Sequence, residues 1–481
     1  MKHTNTLGLA LVQSLLVSCG AYESLGGPGG PGGATVGGVK DANYAREVVA
    51  QGRLPTKEAL RVEALFAEHD FPLEGPPCNE VLCLAGATGI ADDVSGRASA
   101  WMQLALSSGQ EAPRPPLAII AVVDVSCSMG WRTGGNAEFA TPGELSRRLA
   151  AKLAARLEER DSFALITFGS SVHVALALTP GSDQARIQAA IERLAEDGST
   201  NMEAGLVAAY ALAGGIEGPQ DKRVLLFTDT QPNVGATASS EFSSMVRDAA
   251  ARGTFTSVYG MGLGLGTELF AAMATHKGGN AFSFVTSDQV DRFVEHSWPW
   301  AAFPIAHNFK LELSEVTGAS VQASYGFPGA DDATTALRAE SVFLSHERGT
   351  LLVRLADGAP EPHALPTVSA KLHLSYQTRS GQPIDQELLL STESAGGGFA
   401  SPATRKAVAL AVLGTALGQA LDLYATEPER AETVARAAAV RFPQDVAPLG
   451  ADPLLDRDRH LAEDIARLIG ARASQDSFYG Q

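Results

Sequence analysis

A doubly wound, Rossmann-like α/β domain is expected in the middle of this chain, on three observations. Residues 117–123 (Leu-Ala-Ile-Ile-Ala-Val-Val) form an apolar run without polar alternation, as a parallel strand covered on both faces requires. Strand-like and helix-like stretches alternate from residue 117 to about 299. Two of the buried strands end in a carboxylate, Asp124 and Asp229, and in such sheets ligands bind beyond the carboxyl ends of the strands. Ser126 and Ser128 follow Asp124, so one short loop offers three oxygen donors, a set suited to a hard divalent cation such as Mg²⁺.

The 481 residues exceed one usual core, so several domains are expected. With 45% hydrophobic and 19% charged residues, the composition excludes wholesale disorder. A net charge of −17 without a long basic block argues against nucleic acid as a partner.

Taken in order, Lys2 and His3 precede an apolar run at 7–17, too short to span a bilayer but suited to a signal peptide. It ends in Leu16-Val17-Ser18-Cys19, which resembles the lipobox of bacterial lipoproteins. The resemblance implies a signal peptide over 1–18 and acylation of Cys19; an ordinary secretory signal, or a disordered start with a chance cysteine, is the plainer reading. Gly20 after the cysteine is similar to the outer-membrane-sorted type. Glycine and proline dominate 26–33, so residues 19–41 are expected to be a lipidated cysteine on a flexible tether.

Residues 42–112 suggest two short helices, the second capped by Thr56, then strands at 81–90 and 100–106 around a turn at Asp92-Asp93 and Ser95-Gly96. Cys78 and Cys83 are either buried thiols or a local disulfide. Pro113, Pro115 and Pro116 mark the boundary before the α/β domain, expected over 113–299. In it, Thr141-Pro142-Gly143-Glu144 is a helix start with cap, proline and glutamate in register. A hairpin is expected around Gly169-Ser170, and helices over 183–195, from Met202 and over 240–251. Further strands are expected at 223–227, 254–260 and 281–285, with a helix at 267–275 between the last two. The glycines of 260–266 give no G-x-G-x-x-G register, so no dinucleotide site is read there.

Gly198-Ser199-Thr200-Asn201 precedes a helix, and Phe227-Thr228-Asp229-Thr230 closes a strand. With the Asp124 loop, these stretches resemble the von Willebrand factor type A (VWA) family and its metal-ion-dependent adhesion site. In that family a DxSxS loop, a distant Thr and a further Asp surround one divalent cation. Asp124, Ser126, Ser128, Thr200 and Asp229 match those positions. The resemblance implies that the three hydroxyls ligate Mg²⁺ (or Mn²⁺ or Ca²⁺) directly or nearly so. The aspartates would act directly or through water, and one position would be left for a ligand carboxylate or water. The plainer alternative makes Asp124 a strand-end cap, Ser126, Ser128 and Asp229 turn residues, and Thr200 a helix cap. Cys127 and Thr230 stand where the family commonly has glycine.

Short strand-like runs over 300–400 predict an antiparallel β-sandwich, and the strands at 81–106 are expected to join it, with the α/β domain inserted between. Residues 401–481 read as helical, and the apolar stretch 407–421 as a buried helix rather than a membrane span. The whole order resembles bacterial VWA-domain lipoproteins, which carry a segment similar to Asn43-Tyr44-Ala45-Arg46, Leu54-Pro55 and Arg61-Val62-Glu63 before the domain. The expected function is therefore a lipid-anchored, non-enzymatic binding module of the bacterial envelope, of the outer-membrane-sorted type. It would bind a protein whose acidic residue completes the Mg²⁺ shell. The competing readings are a metal-dependent hydrolase using the same cation and a structural envelope protein with a vestigial site. Against the hydrolase, the loop offers no general base beyond the aspartates, and no Ser-His-Asp order is evident.

Overall fold

The structure, a computed structural model, describes residues 32–75, 78–109, 114–132, 140–328, 335–358, 365–396 and 398–479. The expected signal peptide, Cys19 and the first part of the tether lie outside them. The strands before residue 200 are β1 (Gly32–Val36), β2 (Gly38–Val39), β3 (Cys83–Asp92), β4 (Ala98–Ser108), β5 (Leu117–Asp124), β6 (Ser162–Phe168) and β7 (Val172–Pro180). After it come β8 (Asp221–Thr228), β9 (Thr254–Met261), β10 (Asn280–Phe284), β11 (Pro304–Thr317), β12 (Ser320–Tyr325), β13 (Ala336–Ser345), β14 (Thr350–Ala356), β15 (Ser369–Thr378) and β16 (Pro383–Ser391). The helices are α1 (Asn43–Ala50), α2 (Val62–Ala67), α3 (Pro142–Ala154), α4 (Gln184–Glu192), α5 (Met202–Gly214) and α6 (Ser239–Ala251). They continue with α7 (Thr267–Ala274), α8 (Ser287–Arg292), α9 (Trp298–Ala301), α10 (Pro402–Leu423), α11 (Pro428–Val446) and α12 (Pro453–Tyr479).

The α/β domain is built on a sheet ordered β2-β10-β9-β8-β5-β6-β7, parallel except for β7. All of β5 is buried, which explains its unbroken apolar run. Successive side chains point to opposite faces. Ile119 and Val123 therefore share a core with Leu145, Leu149 and Leu153 of α3, while Ile120 and Val122 join Leu206 of α5 and Phe242 of α6. α3 opens with the expected capping box between Thr141 and Glu144.

The second sheet is antiparallel, ordered β12-β14-β4-β1-β13-β11-β15-β16, with β3 also paired to β4. β4 pairs β14, so strands from either side of the α/β domain share one sheet and that domain is inserted into it. The sandwich is a single sheet folded back on itself, since Leu388 and Leu390 of β16 reach Gly86 of β3. Cys78 and Cys83 are disulfide-bonded, which resolves the two readings of that pair.

Two expectations are corrected. Residues 32–39 are strand, not tether: β1 pairs β13 and β4, β2 pairs β10, and Ala34, Val36 and Val39 are buried. Glycine composition suggested flexibility, but Gly33 permits close approach, for a Cβ there would lie 2.1 Å from the Glu347 carbonyl oxygen. Nor does Thr56 cap a helix. Its hydroxyl meets that of Thr267 at 2.9 Å, and a short 3₁₀ turn at Lys57–Ala59 precedes α2.

α10 is long and apolar enough to cross a membrane by composition, but its Ala407, Leu410 and Leu417 are buried in a core with Leu65 and Phe66 of α2 and Trp101 of β4. α12 is pinned by a buried ion network. Arg46 of α1 bridges Glu68 and Asp458, each at 2.6 Å, and His69 Nε2 meets Asp458 at 2.7 Å.

Candidate metal centre

Asp124 ends β5, and its carboxylate is buried. One oxygen accepts the Ser126 N–H at 2.9 Å, and the other accepts the hydroxyl of Thr228, the last residue of β8, at 2.7 Å. The first bond turns the chain sharply beyond the strand end, and the Ser126 and Ser128 hydroxyl oxygens lie 3.1 Å apart. Ser128 also hydrogen bonds to the Asp229 carboxylate.

Thr200 is brought in by backbone bonds from both sides. Asp197 N donates to Val125 O at 2.6 Å, and Cys127 N to Gly198 O at 2.9 Å. On the other side Asn233 Oδ1 accepts the Thr200 N–H at 2.9 Å, and the Asn233 N–H donates to Thr200 O at 3.1 Å. The cap of α5 is Asn201, which accepts from Ala204 N at 3.1 Å, so the Thr200 hydroxyl is not used as a helix cap. Thr200 is buried, like Ser126 and Asp229. Three loops thus gather all five expected residues at one end of the sheet.

The electrostatics of the cluster are one-sided. Burial, then the charge of Asp229, push the Asp124 carboxyl up to about 6 against hydrogen bonds from Ser126 and Thr228. Burial raises Asp229 as well, against the Ser128 hydroxyl. Among the described residues neither carboxylate forms an ion pair. Among the described residues no three His, Cys, Asp or Glu side chains cluster as a metal set. The donors here are instead two carboxylates and three hydroxyls, all hard oxygen. That set and its unmatched charge fit a hard divalent cation.

The departures at Cys127 and Thr230 are accommodated differently. Cys127 is a free, exposed thiol that joins the loop through its backbone N–H. Thr230 adopts φ 53°, a region costly for a β-branched residue. Its hydroxyl donates to Gly266 O at 2.8 Å, and Gly266 N donates to Asp229 O at 2.8 Å, so the glycine-rich loop braces the turn. Thr228 and Asn233, which orient Asp124 and Thr200, were not read from the sequence. Their signal was faint: each lies within four residues of Asp229, as small polar residues commonly do in turns.

A doubly wound α/β domain with hydroxyls and two carboxylates that form no ion pair among the described residues, at the carboxyl end of its sheet, defines the class of this site. The model of the von Willebrand factor type A domain family matches residues 119–231, and the chain carries a domain of that family. Over 287 residues the chain is 35% identical to the uncharacterized protein YfbK of Escherichia coli (strain K12). That match covers 57% of this chain and 48% of YfbK, so the chain spans about half the length of that curated relative. The solved structure of a von Willebrand factor type A protein from Catenulispora acidiphila has a TM-score of 0.52 at 13% identity, covering 78% of this chain and 89% of that one. That likeness shows the fold and extends well beyond residues 119–231.

Proposed function

We propose that this chain is a metal-dependent protein-binding module, not an enzyme, tethered to the bacterial envelope by a lipid on Cys19. Asp124, Ser126, Ser128, Thr200 and Asp229 would hold Mg²⁺, or Mn²⁺ or Ca²⁺ in its place, and an acidic side chain of a protein partner would complete the shell. The observation that carries this reading is the pair of buried carboxylates matched, among the described residues, by no cationic side chain. Neutral hydroxyl donors leave a bound divalent ion incompletely neutralised, so it would supply a strong attraction for an incoming carboxylate. The chain's own part is to orient: Thr228 and the Ser126 N–H fix Asp124, and Asn233 fixes the backbone of Thr200.

Binding is favoured over hydrolysis because stretches 124–132, 197–201 and 228–234 contain no histidine or lysine to move a proton. The lipid tether rests on the Leu16-to-Cys19 pattern. Envelope extract passed over the immobilised chain tests the reading. A partner retained in Mg²⁺, released by chelator and not retained by Asp124→Ala is expected. Equal retention in all three conditions, or turnover of ester or phosphate substrates, would overturn it.

A further inference from the structure

β7 is the last strand of the α/β sheet, so among the described residues one side of its backbone faces no neighbouring strand. Its nine residues, Val-His-Val-Ala-Leu-Ala-Leu-Thr-Pro, include no Asp, Glu, Lys or Arg, and proline appears only at the end. Exposed edges are normally guarded against pairing by charge, proline or a cover. Here Val174 and Leu178 are instead 55% and 39% exposed. Beside the strand, against α4, runs a groove of about 710 Å³ lined by Val174, Leu176, Ala190, Leu194, Arg186 and Arg193. The chain carries a net −17, yet no carboxylate lines this groove, and neither arginine forms an ion pair among the described residues.

We infer that the β7 edge is a docking site for an extended acidic peptide segment of a protein partner. The segment adds as a further strand, its backbone bonding to β7, its apolar side chains entering the groove and its carboxylates meeting Arg186 and Arg193. Charge selects this occupant over a second copy of the chain. Pairing β7 with itself about an axis normal to the sheet sets four arginines on one face and joins two molecules of net −17. The site is distinct from the metal loops, although the β6–β7 turn touches them through Ser170 and Asp197.

The test uses the full chain in chelator and two capped octapeptides, one alternating valine with glutamate and the other valine with lysine. Fluorescence anisotropy reads affinity, and amide exchange reads location. The glutamate peptide is expected to bind and to protect residues 172–180. Asp124→Ala is expected to leave that binding unchanged, which separates this site from the metal centre. Arg186→Glu with Arg193→Glu is expected to weaken the glutamate peptide by about tenfold or more and to transfer preference to the lysine peptide. Absence of binding, equal binding of both peptides to the wild type, or indifference to the double variant would overturn the proposal. Protection of 172–180 that rises with protein concentration alone, with a doubled mass, would assign the edge to a second copy instead and overturn it too.

Discussion

Asp458 and Asp124 are both buried aspartates, one in the ion network that pins α12 and one at the end of β5. Burial alone would raise either carboxyl. At Asp458 the hydrogen bond from His69 and the charge of Arg46 outweigh burial and hold it below the usual carboxylate range. At Asp124 burial acts together with the charge of another carboxylate, Asp229, and the group is pushed up to about 6. The first cluster contains its own cations, Arg46 and Arg457. The second has the donors for a cation but no cationic side chain among the described residues. Buried charge that is matched internally is structural, and two buried carboxylates left unmatched beside a set of hydroxyl donors point to a ligand.

The largest expected effect separates the two clusters directly. Arg46→Ala removes the cation that Glu68 and Asp458 share, leaving them to Arg457 and His69, and should cost up to about 3–5 kcal/mol in urea unfolding. Asp124→Asn, measured in chelator, should cost less, about 1 kcal/mol, because relief of the repulsion from Asp229 offsets the loss of one of the two acceptors that serve Ser126 N–H and Thr228. Equal losses would erase the distinction. Next, Mg²⁺ at a hundredfold over its Kd should stabilise the wild type by about 2.7 kcal/mol in thermal unfolding. Arg46→Ala should keep that increment, and Asp124→Ala should lose it.

Asp41 extends the comparison to pH. It accepts from Ser283 and Asn43, has no cation among its partners in the described residues, and is pushed up to about 6, chiefly by burial. A carboxyl raised in the folded state contributes stability that is fully present below its ordinary value near 4 and is lost as pH rises to about 6. The fall in stability across that window should therefore be smaller in Asp41→Asn than in the wild type by on the order of 2 kcal/mol, the part that remains coming from Asp124, raised to the same value. Asp458 has the opposite sign: its contribution is present above its ordinary value and lost as pH falls through its lowered one. The smallest effect concerns Cys127. If its exposed thiol is no ligand, Cys127→Ser should change stability by less than about 0.5 kcal/mol and leave Mg²⁺ affinity within about threefold. A larger loss of affinity would make the thiol part of the site.

The α/β domain was legible because its strands are buried on both faces, and a short unbroken apolar run such as 117–123, bounded by prolines and a carboxylate, suits a covered parallel strand. The five candidate residues were legible because strand ends in such sheets are where ligands sit, and a spaced Asp-Ser-Ser set marks one. What stayed hidden depends on distant partners. β1 and β2 are glycine-rich and look like linker until β13, β4 and β10 supply their hydrogen bonds. Thr228 and Asn233 acquire roles only when β5, β8 and the Thr200 loop meet. The unguarded edge of β7 is likewise visible only once the strand order is known.

The central claim is that Asp124, Ser126, Ser128, Thr200 and Asp229 form one divalent-cation site. Calorimetric titration of Mg²⁺ into the wild type, Asp124→Ala and Thr200→Ala tests it most directly, with circular dichroism confirming that each variant is folded. The account predicts one saturable site in the wild type and affinity at least about tenfold weaker in each folded variant. Folded variants that bind Mg²⁺ as the wild type does would contradict it.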